Sequence, residues 1–371
     1  MAHCPMLIIV LGVLAFGLAA LWAFAVVFLA GEDLSNFDAP AGERFSTRPE
    51  ASAELASVVA SLAGVRDAVR GVPLRGRVPA LRRYIDELFG RRAFDATFAP
   101  VDCAGVPAEW VLSPGADGAR RTLYIHGGGF VIGSPRSHRT LTTRFAAMTG
   151  GAVLAIDYRL MPEHRRMAGI EDCRTAYRWM LENGPTGRAT AQAVFVAGES
   201  AGGNLALALA AWVRDQRLRA PDAVVALSPA TDGTLASPSL RAHRRSDAML
   251  GPLYGPLTRL PHAVLLWMAW IVNRIRPGDP AISPVYGDLS NLPPVLVHAS
   301  EAEMLLDDAR RYVNRARAAG SPARLQTWRH VVHAWHIFNP ELPEAVEALA
   351  EIEKFLAAAA PPAAPARPAV G

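Results

Sequence analysis

Residues 193–204 read Ala-Val-Phe-Val-Ala-Gly-Glu-Ser-Ala-Gly-Gly-Asn, an apolar run that breaks at Gly198 and continues beyond Ser200 in helical spacing to Gln216. A short apolar segment bounded by glycine reads as a buried strand, and the longer periodic one as a helix. Between them, Gly198-Glu199-Ser200-Ala201-Gly202 leaves no room for a loop. A strand that turns straight into a helix through G-x-S-x-G presses its serine oxygen into the open, and the first helical turn aims backbone N–H groups at the same point. Alone, the pentapeptide recurs by chance as a glycine-rich turn with an incidental serine. In this setting it marks Ser200 as a candidate nucleophile.

The alternation extends outward from this point. Apolar or β-branched runs at 121–126, 152–158, 223–228 and 294–299 predict further strands, with a strand-like segment at 323–328. Helical patterns occupy 137–148, 170–183 and 305–319. Strands alternating with helices imply a mostly parallel central sheet covered on both faces. The pattern lapses over 230–285, where arginine-rich loops surround an apolar helix at 262–275. That helix is too short to span a bilayer and is bounded by Arg259, Arg274 and Arg276, so a lid over the active site is the expectation. Nearer the N-terminus, Leu55, Val58, Val59 and Leu62 recur in helical spacing within 51–92, and residues 31–50 read as a polar linker.

A second motif, His126-Gly127-Gly128-Gly129-Phe130, closes the run at 121–126. Three glycines at a strand end cost backbone entropy, and make sense where N–H groups must approach a ligand closely. The N–H groups of Gly127, Gly128 and Ala201 could together hold a tetrahedral oxyanion. A dinucleotide-binding loop would need G-x-G-x-x-G, which is absent. A base for Ser200 should follow it in the chain, and His298, His330, His333 and His336 are available. Spacing does not choose among the last three. An orienting carboxylate should follow the strand at 294–299, where Glu301, Glu303, Asp307 and Asp308 stand, the last two in the first turn of a helix.

Taken together, these residues resemble the hormone-sensitive lipase family of α/β-hydrolases, which includes bacterial esterases and arylacetamide deacetylase. The matching motifs are the HGGGF block, Tyr158-Arg159-Leu160-Met161-Pro162-Glu163 and the G-x-S-A-G-G elbow, and the resemblance covers roughly residues 105–358. It implies His333 as base, because His333-Ala334-Trp335 with Phe338 fits the family's histidine segment. It implies Glu303 as acid, because Glu303-Met304-Leu305-Leu306-Asp307-Asp308 aligns with a segment that usually opens on aspartate. Glutamate can orient an imidazole in the same way. The fold implied is an α/β-hydrolase sheet under a helical cap built from about 51–100 and 230–285. The activity implied is hydrolysis of carboxylic esters through an acyl-enzyme, with no metal or organic cofactor. Acyl transfer or amide cleavage by the same residues, or a catalytically dead binding protein, are the alternatives.

Composition adds the setting. Of 371 residues 51% are hydrophobic and 19% charged, and the net charge of +4 is carried by arginine, since Lys354 is the only lysine. Eight arginines fall between Arg66 and Arg92, as a solvated helical face or one resting on anionic lipid; no nucleic-acid partner is implied. Three scattered cysteines, Cys4, Cys103 and Cys173, supply neither a disulfide framework nor a metal spacing. Residues 6–30 are apolar without one charge, long enough for a bilayer span, whereas a cleavable signal would carry a basic leader and a shorter core. The expected partners are thus a small-molecule or lipid ester and a membrane held through residues 1–30. Arg44 and Arg48 behind the span favour a cytoplasmic catalytic domain, 51–358. A Pro/Ala-rich tail, 359–371, is expected to be disordered.

Overall fold

In the computed structural model, residues 4–40, 42–45, 50–90 and 92–361 are described. The chain begins with helix α1 (Cys4–Phe24), continued by a π-turn at Ala25–Leu29. After strand β1 (Glu43–Arg44) come α2 (Ala53–Ser61), α3 (Ala63–Asp67) and α4 (Leu74–Gly90). Strands β2 (Thr97–Asp102), β3 (Pro107–Leu112) and β4 (Asp117–Ile125) precede α5 (Arg139–Thr149), β5 (Gly151–Ile156) and α6 (Arg166–Glu182). A small hairpin, β6 (Asn183–Gly184) and β7 (Gly187–Arg188), leads to β8 (Ala193–Glu199), α7 (Ala201–Asp215) and β9 (Ala223–Leu227). An insertion carries α8 (Ser239–Ala242), α9 (Gly251–Tyr254) and α10 (His262–Asn273). The chain finishes with β10 (Val295–Ser300), α11 (Leu306–Ala318), β11 (Ala323–Trp328) and α12 (Pro343–Ala359).

Among the described residues nine strands form one sheet in the order β1-β11-β10-β9-β8-β4-β5-β3-β2, parallel except where β3 runs against β2 and β5. The central strands are buried on both faces. In β8, Val194 and Val196 enter the core shared with α6, α7 and α11, while Phe195 and Ala197 enter the core shared with α5 and α12. Such two-sided burial explains why these strands read as continuous apolar runs. Helix α7 follows β8 without an intervening residue other than Ser200, and Ser200 N–H donates to the Leu227 carbonyl of β9 at 2.7 Å.

The antiparallel margin, β2 and β3, was not expected. Pro100 interrupts the strand signal of β2, and proline is tolerated there because the strand lies at the sheet edge. Segment 31–50 also does more than link. Leu34 is buried in the core, Asp38 pairs with Arg311 at 2.6 Å, and Glu43 and Arg44 add a parallel strand to the outer side of β11. The helix expected as a lid, found as α10, packs its buried Leu266 against Ala25 and Leu29 of the leader. An apolar surface finds its nearest apolar partner. Of the expected tail, Ala359 ends α12 and the Ala360 and Pro361 carbonyls accept from Arg120, at 2.7 and 3.1 Å; residues 362–371 lie outside the described residues.

Within the arginine-rich stretch, Arg82 grips the loop beyond the glycine run. It donates to the carbonyls of Val131 and Met161 and to both oxygens of Glu163 at 2.8–3.0 Å. Helix α4 is thereby clamped over that loop. Cys103 and Cys173 are free and buried, and burial pushes the Cys103 thiol up to about 12, which keeps it protonated and unreactive.

Candidate active site

Ser200 stands at φ 54° and ψ −115°, a strained conformation imposed by the strand-to-helix turn. Gly198 and Gly202 make that turn possible. A Cβ on Gly202 would fall 1.9 Å from the Ile125 carbonyl oxygen, and one on Gly198 would fall 2.4 Å from the Gly202 carbonyl oxygen. The elbow therefore presses directly against the end of β4, where the His126-Gly127-Gly128 run begins. Gly128 has φ +103°, and a Cβ there would meet the Ile132 carbonyl at 2.2 Å. Among the described residues no backbone carbonyl accepts from the N–H groups of Gly127, Gly128 or Ala201, leaving all three available to a ligand oxygen.

A continuous hydrogen-bonded line runs from the serine into the core. Ser200 Oγ lies 2.9 Å from His333 Nε2, and His333 Nδ1 lies 2.8 Å from Glu303 Oε2. His333 is carried on the turn after β11, Glu303 on the turn after β10. Both are buried while Ser200 is partly exposed. With Glu303 accepting the Nδ1 proton, Nε2 of a neutral imidazole faces the serine hydroxyl as an acceptor. Burial alone would lower the basicity of His333, but the hydrogen bond and charge of Glu303, backed by Asp247 and Glu199, raise its pKa above the usual value. Burial pushes Glu303 upward in turn, opposed by the hydrogen bonds from His333 and Ser228. Its other oxygen accepts from the Ser300 N–H at 3.1 Å.

The remaining candidates are engaged elsewhere. His298 Nε2 meets Gln326 Oε1 at 2.9 Å and His298 Nδ1 meets His336 Nε2 at 3.1 Å, deep beneath the site. Burial drives His298 down to about 3 and, with His298 and His333 nearby, holds His336 well below its usual value, so the two form a neutral pair. His330 is exposed. Glu301 pairs with Arg44 at 2.7 Å and accepts from Thr327 at 2.9 Å. Asp307 binds Arg310 and the Ser239 N–H, and Asp308 accepts from the N–H groups of Thr231 and Asp232 and from Ser237. Both aspartates thus tie the 230–285 insertion to α11.

Some supporting residues carry no sequence signal. Ser228, at the end of β9, accepts from the Ala334 N–H at 3.1 Å and so steadies the residue after His333. Asp247, in the insertion, accepts from the Met304 N–H at 2.8 Å and so holds the Glu303 turn. His138 donates to Glu199 at 2.9 Å, beneath Gly127, and Tyr158 OH donates to the His126 carbonyl at 2.9 Å. Ser228 and Asp247 are ordinary loop residues by type and spacing, and only their tertiary placement gives them work. Tyr158 and Glu199 fell inside quoted motifs without a role being legible.

This arrangement can deprotonate a serine, stabilise the imidazolium that results and receive an oxyanion on backbone donors. A family model described as alpha/beta hydrolase fold matches residues 122–337. An acetyl-hydrolase of Streptomyces hygroscopicus is 38% identical over 237 residues, covering 64% of this chain and 74% of that protein. An esterase of Acinetobacter venetianus is 33% identical over 266 residues, covering 71% and 84%. The crystal structure of an esterase from the bacterial hormone-sensitive lipase family superposes with a TM-score of 0.71 at 34% identity, over 83% of this chain and 98% of that one.

Proposed function

Because the chain belongs to the hormone-sensitive lipase family of α/β-hydrolases, we infer that it is a serine carboxylesterase, anchored to a membrane by its N-terminal helix and acting on esters of small to medium acyl chains. His333 takes the Ser200 proton as Oγ attacks the ester carbonyl. The N–H groups of Gly127, Gly128 and Ala201 receive the oxyanion, and Glu303 stabilises the imidazolium. His333 then returns the proton to the departing alcohol. Water, deprotonated by the same imidazole, attacks the acyl-serine and releases the acid with Ser200 restored. The observation that carries this reading is the unbroken line Ser200 Oγ–His333 Nε2, Nδ1–Glu303, at 2.9 and 2.8 Å.

The membrane reading rests on Ile9–Leu29, a helical stretch of 21 residues with a mean hydropathy of 2.5, of which Val13, Phe16 and Val27 among others are exposed. Its length matches the roughly 20 residues a bilayer requires.

The test is labelling by a fluorophosphonate probe with a panel of aryl esters from acetyl to palmitoyl. Ser200→Ala should lose both labelling and turnover, by about 10⁴-fold or more, with an unchanged circular-dichroism spectrum. Retention of more than a few per cent of turnover removes Ser200 as nucleophile.

A further inference from the structure

Helix α10 meets the leader along its last turns, from Leu21 to Leu29. Trp267 Nε1 donates to the Leu21 carbonyl at 3.2 Å, and Phe24 lies over Trp267 with ring centroids 5.3 Å apart. Leu266, Ala25 and Leu29 close the contact, each fully buried. Eight residues separate Leu21 from Leu29, about 12 Å along a helix. If Ile9–Leu29 crosses a bilayer, whatever touches Leu21 stands about 12 Å inside the point where the span ends. Helix α10 is therefore carried below the membrane surface by its own packing.

The outward side of α10 suits that depth. Val264, Met268, Ile271 and Val272 are exposed, Val272 at 61%, although the helix belongs to the globular body. Leu260, Leu253 and Tyr254, in the segment that leads into α10, are exposed as well. Arg259, Arg274 and Arg276 are exposed at the ends of α10, where a partly immersed helix presents cations to lipid headgroups. Tyr254 joins this surface to the chemistry: its hydroxyl lies 3.3 Å from the position a Cβ on Gly129 would take, above the glycine run beside Ser200.

We infer that α10 and the α9 segment form a second, monotopic membrane contact, immersed in the leaflet beside the anchor, through which an apolar ester dissolved in the bilayer reaches Ser200. This rests on the membrane-span reading above, and takes the occupant of the apolar surface to be lipid, because that surface is continuous with the packing of the span itself. The substrate class follows. It is an uncharged ester that partitions into the acyl region rather than one delivered from water.

Full-length protein in phosphatidylcholine vesicles decides the matter. Two rates are compared, hydrolysis of 4-methylumbelliferyl decanoate dissolved in the vesicles and of water-soluble p-nitrophenyl acetate. The double variant Ile271→Glu/Val272→Glu places two carboxylates where lipid is expected and should lower kcat/KM on the decanoate by about tenfold or more, leaving the acetate rate unchanged. Ile271→Leu/Val272→Leu should retain both rates. Equal rates on the decanoate for the glutamate variant and the wild type, or an equal loss on both substrates, overturns the proposal. So does conversion of a wild-type dimer to a monomer by the glutamates, since the surface would then belong to a second copy. Alkaline carbonate extraction separates the two readings. Release of the wild-type chain from vesicles removes the span, and the immersed α10 with it. Resistance to carbonate combined with an indifferent glutamate variant removes only the α10 contact.

Discussion

Glu303 stands where aspartate is usual in this family's acid segment, and its surroundings explain how the longer side chain is accommodated. One oxygen faces His333 and the other the Ser300 N–H. Glu303→Gln keeps the shape but removes the charge that fixes the imidazole and stabilises its protonated form. Turnover should fall by roughly 10³–10⁴ with the fold intact, whereas Glu301→Gln, which loosens only the contact with Arg44 and Thr327, should stay near wild type. The pH profile carries a sign. His333 must be neutral to act as base and its pKa is raised, so kcat/KM should climb with pH through an inflection above 6.5. Removing the Glu303 charge takes away the largest opposition to burial, so the inflection should move to lower pH. An inflection that stays in place, or a dead Glu301→Gln, would reassign the acid. At this scale the serine was legible because its local sequence imposes its geometry. The histidine and the acid were not selected by spacing, since His330, His333 and His336 lie within seven residues and only the packing of β10 and β11 sorts them. The resemblance supplied that choice in advance.

At the scale of elements, the junction between β4, β8 and α7 concentrates the constraints. Gly202 lies against the Ile125 and His126 carbonyls so closely that a methyl group would meet backbone oxygens at 1.9 and 2.7 Å. Neither can withdraw without moving the strand that carries the glycine run. Gly202→Ala should therefore lower unfolding stability by about 3 kcal/mol or more and abolish activity, whereas Gly287→Ala, whose Cβ would make ordinary contacts at 3.4 Å, should change stability by less than about 1 kcal/mol. Urea unfolding of the two variants checks the contrast. A stable, active Gly202→Ala protein would mean that the elbow has slack the geometry does not show. The parallel strands were readable because burial on both faces gives continuous apolar runs. The margins were not. β1 has two residues, β2 contains Pro100, and both exist because a neighbouring strand offers an edge rather than because of any propensity of their own.

For the whole molecule, the leader is fastened at several depths. After α1 the chain packs Leu29 against α10 and buries Leu34. It then pairs Asp38 with Arg311 and lays Glu43 and Arg44 along β11. A protein beginning at residue 25 keeps all of these contacts, whereas one beginning at residue 46 keeps none. The first should keep the oligomeric state of the full chain and hydrolyse p-nitrophenyl acetate at the wild-type rate. The second should form high-molecular-weight species within hours at micromolar concentration, as read by light scattering. Equal behaviour of the two would mean that residues 25–45 are ornamental. The expected difference comes from the two-residue strand at the margin of the sheet. With β1 absent, β11 would offer an unpaired row of backbone N–H and C=O groups, a template for intermolecular strand addition. The segment that fastens the leader to the body is thus also the selvedge that would keep one copy from being stitched to the next.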